Sequence, residues 1–305
     1  MINAVQPSYT VHDERFRRMI LGNTRLETLG EGFGWAEGPV WFADQQALIF
    51  SDVTASREWR WSEGGGISLF RQPSDHANGH ARDPQGRLLT CSHGLRAVVR
   101  TELDGTQTIL ADRFQGRRLN SPNDIVCTSD GSVWFTDPLY GIETDFEGTK
   151  SLSENAPAVY RRDPSNSEIF ALTSGIAGPN GLAFSSDESV FYVSETGDQF
   201  AAETKRSVRR FSVQSDLCLA DESEFAVVTP GYADGIAVDE ADNLWLSAGD
   251  GVHCYAPDGA PMGRIHTSTA VTNLCFGGRE LARLFLCAGH ELLAINVNVR
   301  GARLV

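Results

Sequence analysis

Residues 119–138 read LNSPNDIVCTSDGSVWFTDP, and the parsing of this stretch decides the fold. In its second half, Ser129-Asp130-Gly131 separates two apolar runs and predicts a tight β-hairpin turn. Its first half places Asn120, Ser121, Pro122, Asn123 and Asp124 directly ahead of an apolar strand. Asn and Asp are ordinary turn residues, so such a cluster carries meaning only if it recurs.

It recurs along the whole chain. Asn123 is followed ten residues later by the strand Val133-Trp134-Phe135, and the same offset links Glu37 to Ala47, Asn78 to Leu88, Asn180 to Val190 and Asp234 to Leu244. A sixth copy starts at Asn273, with its second strand one residue later. The anchors at 37, 78, 123, 180, 234 and 273 have a mean spacing of about 47 residues, a propeller-type period. Third and fourth apolar runs follow the first two in several copies. Six copies of about four antiparallel strands, without helical periodicity, predict an all-β, six-bladed β-propeller. A parallel β-helix is the rival, but its repeats are usually shorter. Residues 1–25 are expected to form an N-terminal arm and 26–305 a single propeller domain. Longer spacings after Asn123 and Asn180 mark insertions at 141–156 and 197–206, expected to be loops over one face.

Composition agrees with a globular chain. The 305 residues include 30 Gly and 12 Pro, with 41% hydrophobic and 22% charged residues. A formal net charge of −14 argues against a nucleic-acid partner. Arg15-Phe16-Arg17-Arg18 is expected on the solvated face of a short helix or arm. The six cysteines form no C-x-x-C pair, so neither a disulfide framework nor a cysteine-built zinc site is expected. The N-terminal stretch lacks a signal-peptide apolar core, and no apolar run is long enough to span a membrane. The cytoplasm is therefore the expected compartment, with a monomer or homodimer as the assembly.

In a propeller the first strand of each blade lines the central channel. Equivalent anchor residues then form a ring: Glu37, Asn78, Asn123, Asn180, Asp234 and Asn273. Converging carboxylates are costly to desolvate unless a cation accompanies them. Two carboxylates with several amide oxygens make a hard donor set suited to Ca²⁺, with Mg²⁺, Mn²⁺ or Zn²⁺ as alternatives. The other reading is that these side chains cap strand-entry backbone groups, and the repeat by itself leaves both open. Asn78 and Asn273 fit the capping role best.

A second polar column lies at the ends of the second strands: Asp52, His93, Asp137 and Glu195, each 14 or 15 residues past its anchor. Antiparallel pairing brings these ends to the mouth where the anchors lie, which is where a general base is sought. Asp137 is the first candidate, because it sits in TDPLYG beside Tyr140, a residue able to wall a pocket. His93 is the second, and His80 and His290 are weaker ones.

EGPVWF around Glu37, NSPND around Asn123, GPNGLAF around Asn180 and DGIAVD around Asp234 together resemble the gluconolactonase, senescence marker protein and luciferin-regenerating enzyme family, over roughly residues 30–297. RLNSPNDI, VWFTDPLYG and TNLCFGG resemble its bacterial gluconolactonase branch. The resemblance implies a six-bladed propeller with one divalent metal, usually calcium, held by Glu37, Asn123, Asn180 and Asp234. Asn78 and Asn273 would then line the substrate pocket. Some relatives carry a substrate-contacting arginine where this chain has Ser121, so substrate specificity does not transfer from them.

The function this implies is metal-dependent opening of a small-molecule, gluconolactone-like sugar lactone by water attack. Asp234, Asn123, Asp137 and His93 are the catalytic candidates; Asn78, Ser121, Tyr140 and Asn273 are the substrate-binding ones. Rivals are hydrolysis of another lactone or an organophosphate ester at the same site, and a non-catalytic, calcium-stabilised binding propeller. Exposed aromatics on one rim would favour a binding module. Trp134, Phe135, Phe191 and Trp245 lie inside strand runs instead and are expected in the core.

Overall fold

A computed structural model describes residues 3–198, 200–201 and 204–302. Six antiparallel sheets stand around one axis, with a two-stranded ribbon at Arg113–Phe114 and Arg117–Arg118 beside them. From the axis outward, blade I comprises Ala36–Phe42, Ala47–Asp52, Arg57–Ser62 and Gly66–Arg71. Blade II comprises Ala77–Arg82, Leu88–Ser92, Ala97–Thr101 and Gln107–Ala111. Blade III begins at Ile125–Cys127 and Val133–Asp137, blade IV at Pro179–Phe184 and Val190–Glu195. Blades V and VI begin at Ile236–Val238 and Asn273–Gly277. Each inner strand touches the inner strands of both neighbouring blades, and the cycle closes from blade VI to blade I. The chain is a six-bladed β-propeller.

Each blade is sandwiched between two others, so its second strand is buried on both faces. Val133–Asp137, Leu244–Ala248 and Leu88–Ser92 have no exposed position. This explains why these segments read as continuous apolar runs rather than alternating ones. The apolar core is divided into sections between neighbouring blades. Trp134 packs on Phe184 and Phe191 between blades III and IV, and Trp61 on Phe285 between I and VI. Trp134, Phe135, Phe191 and Trp245 are all fully buried.

Blade VI contains only three strands from the C-terminal part of the chain. Its fourth is Leu26–Glu31, paired antiparallel with Glu291–Asn296. The N-terminal part of the chain thus closes the ring. The preceding segment then adds a fifth strand to each of two blades: Asn3–Val5 to VI and Ser8–Val11 to V. After Ser8–Val11 runs the helix Glu14–Met19, where the side chain of Asp13 accepts the Arg15 N–H at 2.8 Å as an N-cap. Phe16 and Met19 of this helix are buried against blade V, while Arg15, Arg17 and Arg18 are exposed. The cysteines are free, and no helix among the described residues is long and apolar enough to cross a membrane.

The axis is crowded where the anchors lie. A Cβ on Gly38 would stand 2.0 Å from the Asn78 carbonyl oxygen, and one on Gly181 2.1 Å from that of Asp234. Only glycine allows the backbones of neighbouring blades to approach this closely.

Candidate active site

Backbone contacts between blades set the anchor ring. Gly79 N–H donates to the Asn123 carbonyl at 2.8 Å, and Gly181 N–H to the Asp234 carbonyl at 2.9 Å. Ser51 Oγ donates to the Asn78 carbonyl at 2.8 Å, and Ser194 Oγ to that of Asp234 at 2.6 Å. The anchors Asn78, Asn123 and Asp234 are therefore fixed by a neighbouring blade as well as by their own. Glu37, Asn78, Asn123, Asn180 and Asn273 are buried, and Asp234 is partly open to the channel.

Glu37 accepts the Gly38 N–H on Oε2 at 2.9 Å, and the side chains of Asn273 and Thr272 lie beside it and favour its charged form. Asn273 also lies beside Asp124, and its Oδ1 accepts the Leu274 N–H at 2.8 Å. It caps local backbone and joins the ring at the same time. Asn78 and Asn123 aim their amide nitrogens at His93 Nε2, at 3.3 and 3.4 Å. His93 Nδ1 lies 3.0 Å from the Glu147 carbonyl oxygen. With Nδ1–H donating there, the Nε2 lone pair faces the two amides. Burial lowers this imidazole to about 4, so the ring is neutral at physiological pH.

Burial also raises the carboxyls of Glu37, Asp124, Asp234 and Glu147. Asp124 and Glu147 are pushed up to about 7, and Asp234 well above the ordinary range. The charges of Glu37, Asp124 and Glu147 all act on Asp234, so these acids converge. A group of buried, mutually repelling carboxyls needs protons or a cation. Among the described residues no three His, Cys, Asp or Glu side chains form a metal cluster by themselves. The expected set, Glu37, Asn123, Asn180 and Asp234, has only two carboxylates and takes its other donors from amide oxygens. That all-oxygen chemistry, beside the unneutralised acids, fits a hard divalent ion.

The second polar column divides in two. Asp137 accepts the N–H groups of Asn120 and Ser121 on its two carboxyl oxygens, both at 2.8 Å. Asp52 Oδ1 does the same for Gly34 and Trp35, at 2.9 and 3.0 Å, and Glu195 Oε1 for Ala177 and Gly178, at 3.0 and 2.9 Å. These three acids clamp the backbone that leads into the anchors. His93 alone among the four turns toward the anchor side chains. Asp137 is buried with both oxygens spent on backbone away from the ring, whereas His93, equally buried, points its Nε2 at the amides of Asn78 and Asn123 and is the base candidate nearer the anchors. Ser121 is also withdrawn. It has no exposed surface, its Oγ donates to the Pro138 carbonyl at 2.8 Å, and it accepts the Gly141 N–H at 3.0 Å. Nothing of it remains for a substrate.

Tyr140 begins the short helix Tyr140–Glu143 inside the first insertion, a turn of helix where a loop was expected. Its hydroxyl bonds Thr196 Oγ1, and the charge of Asp234 reaches it, so it walls the mouth. The same insertion folds back through Thr149 N–H to the Gly141 carbonyl at 3.0 Å and carries Glu147 over His93. No pattern in the sequence pointed to Glu147. Asp124 did leave a signal: four copies have glycine after the anchor, and the third has Asp124. His80 lies below the ring, its Nδ1 2.7 Å from the Gly38 carbonyl oxygen and its Nε2 3.0 Å from Glu58 Oε1. His290 bonds the Phe33 carbonyl at 2.7 Å.

The opposite end of the channel holds a cavity of about 560 Å³ with mostly apolar walls such as Val40, Ile125, Leu182 and Ile236. It meets the ring at His80, Asp124 and Asn273 but includes neither Glu37, Asp234 nor His93. Reactive groups converge at the loop-covered mouth, and the site is assigned there.

Comparison with known proteins agrees with this geometry. Residues 35–290 match the SMP-30/gluconolactonase/LRE-like region. The chain is 30% identical to a gluconolactonase of Zymomonas mobilis, over 92% of this chain and 83% of that protein. It is 27% identical to a pentonolactonase of Haloferax volcanii, over 82% of this chain and 80% of that protein. A solved gluconolactonase structure from Xanthomonas campestris superposes with a TM-score of 0.90 at 34% identity, covering 97% of each chain. With its six blades, its ring of anchors and this match over most of its length, the chain belongs to the SMP-30/gluconolactonase/LRE-like family.

Proposed function

We propose that this chain is a lactone hydrolase that opens a gluconolactone-like sugar lactone with the help of one divalent metal ion, Ca²⁺ by preference. The observation that carries the reading is the meeting of Glu37, Asp234, Asn123 and His93 at one mouth, in a family whose relatives include lactonases. Glu37, Asn123, Asn180 and Asp234 would hold the metal. When bound, such an ion neutralises the acids and polarises a carbonyl oxygen.

The chain's own groups do the rest. The amide nitrogens of Asn78 and Asn123 present N–H donors to the lactone oxygens. Water attacks the carbonyl carbon and loses a proton to His93 Nε2 or to the Asp234 carboxylate. The ring C–O bond then breaks, and that proton passes to the leaving oxygen, giving the hydroxy acid. His93 keeps one tautomer because the Glu147 carbonyl holds its Nδ1–H. An activated ester has a lower barrier than an amide, so no covalent nucleophile is required.

The test is proton release from δ-gluconolactone by protein stripped with chelator and then given Ca²⁺, Mg²⁺, Mn²⁺ or Zn²⁺ in turn. The expected result is activity lost on stripping and restored by one ion. Glu37→Gln and Asp234→Asn should weaken metal binding and activity together. Full activity after stripping would remove the metal from the reading; inactivity with every ion and every lactone would remove the hydrolase.

A further inference from the structure

The core aromatics behave as expected from sequence, but the mouth does not. Among the described residues, Val5, Leu69, Phe70, Leu103, Ile109 and Val227 are exposed, and so are five more: Trp35, Phe146, Leu152, Phe200 and Tyr232, at 36%, 64%, 88%, 67% and 40%. All five belong to segments on the anchor side of the ring. Trp35 and Tyr232 stand two residues before Glu37 and Asp234, and Phe146 directly precedes Glu147, whose carbonyl is bonded to His93. Leu152 and Phe200 lie in the two insertions.

The apolar rim is continuous with the polar floor. Tyr232 lies close enough to feel the charges of Asp234, Glu147 and Glu37. The Arg206 guanidinium lies 4.9 Å from the Tyr232 ring centroid, and its Nε donates to the Thr196 carbonyl at 3.1 Å. Thr196 in turn bonds Tyr140, the wall of the mouth. A small, fully hydroxylated lactone would be held by the acids and amides of the floor and leave this rim unused. Leaving several large apolar side chains in water around a polar site gains nothing unless something covers them on binding.

Resting on the lactonase reading, we infer that the gluconolactone-like substrate carries an apolar substituent, so that the lactone is amphiphilic. Its ring and hydroxyls occupy the polar floor, and an alkyl or aryl substituent lies across Trp35, Phe146 and Tyr232. The rim thus sets specificity without touching the reacting atoms.

The experiment compares kcat/KM for δ-valerolactone and for δ-decalactone, which carries a pentyl group on the same ring. Wild-type protein should favour δ-decalactone by at least about tenfold, the scale expected from burying several methylenes. Trp35→Ala, Phe146→Ser and Tyr232→Ala should each lower that ratio several-fold, through KM. An independent readout uses the product 5-hydroxydecanoate. It should shift the tryptophan fluorescence of wild-type protein and not that of Trp35→Phe. A ratio near one, or a ratio that none of the three substitutions changes, overturns the inference and leaves the lactonase reading standing. Hydrolysis of neither these lactones nor δ-gluconolactone overturns both. Rim substitutions that alter only capture by a protein or by neutral vesicles would assign the rim to a partner and overturn the inference as well.

Discussion

Asp137 and His93 occupy equivalent places, 14 and 15 residues past their anchors at the ends of second strands, and yet do different work. The carboxylate has two acceptor oxygens and meets two N–H groups in the turn beside it, so it is consumed by backbone. The imidazole donates to one carbonyl and turns its other nitrogen to the amides of the anchors Asn78 and Asn123. Asp137→Asn should therefore cost stability, about 1–3 kcal/mol for a buried N–H left without an acceptor, with turnover of the folded fraction largely kept. His93→Gln should lower kcat by about 10²-fold while the melting temperature stays close to wild type. Thermal melts and steady-state kinetics on both variants check this. A stable, inactive Asp137→Asn together with an active His93→Gln would restore the opposite assignment.

At the scale of elements, two contacts link packing to the site. The inner strands of blades IV and V approach so closely at Gly181 that an added Cβ would meet the Asp234 carbonyl at 2.1 Å. Gly181→Ala should push these strands apart, lowering the melting temperature and calcium affinity together; a loss of stability with calcium affinity intact would uncouple the two. The second contact holds the N-terminal arm. Thr10 of Ser8–Val11 bonds His266 at 2.7 Å, and His266 faces Asp250 at 3.7 Å. Asp250 also meets His253 at 2.6 Å and Arg264 at 3.2 Å. Burial opposes ionisation of Asp250, but its bonds to His253 and Arg264 prevail and hold the carboxyl below its usual range. A depressed carboxyl stabilises the fold above its ordinary value near 3.8 and stops doing so as pH falls through the folded value. Amide exchange at residues 8–11 should thus show protection at pH 6 that is lost below about pH 4. Asp250→Asn should remove that dependence. Protection unchanged across this range in wild-type protein would mean that the arm is held by other contacts.

At the scale of the molecule, the ring is closed by pairing Leu26–Glu31 with Glu291–Asn296, segments from opposite ends of the chain. Without Leu26–Glu31, blade VI would have three strands and a free edge, and the blade VI–I core around Phe33 and Phe285 would open. Removal of residues 1–31 should abolish cooperative unfolding. Removal of residues 1–7 takes away the outer strand Asn3–Val5 but keeps Leu26–Glu31, and should leave a cooperative melt. Differential scanning calorimetry separates the two. A normal melt for the longer truncation would show that closure does not need this strand.

The six-fold recurrence, the strand character of the blades and the anchor ring were legible in the sequence, because each is a local pattern repeated at a fixed spacing. So was the glycine after four anchors, which marks the crowded axis, with Asp124 in the third copy and Leu274 in the sixth as the exceptions. The direction of a side chain at a strand end was not legible, since the neighbours that turn Asp137 to backbone and His93 to the anchors are met only in space. Nor was the reach of the first insertion, which sets Glu147 over His93 and Phe146 at the rim. Closure by Leu26–Glu31 was hidden for the same reason: pairing partners some 265 residues apart leave no local trace, and hydrogen bonding between distant edges is settled only when the ring forms.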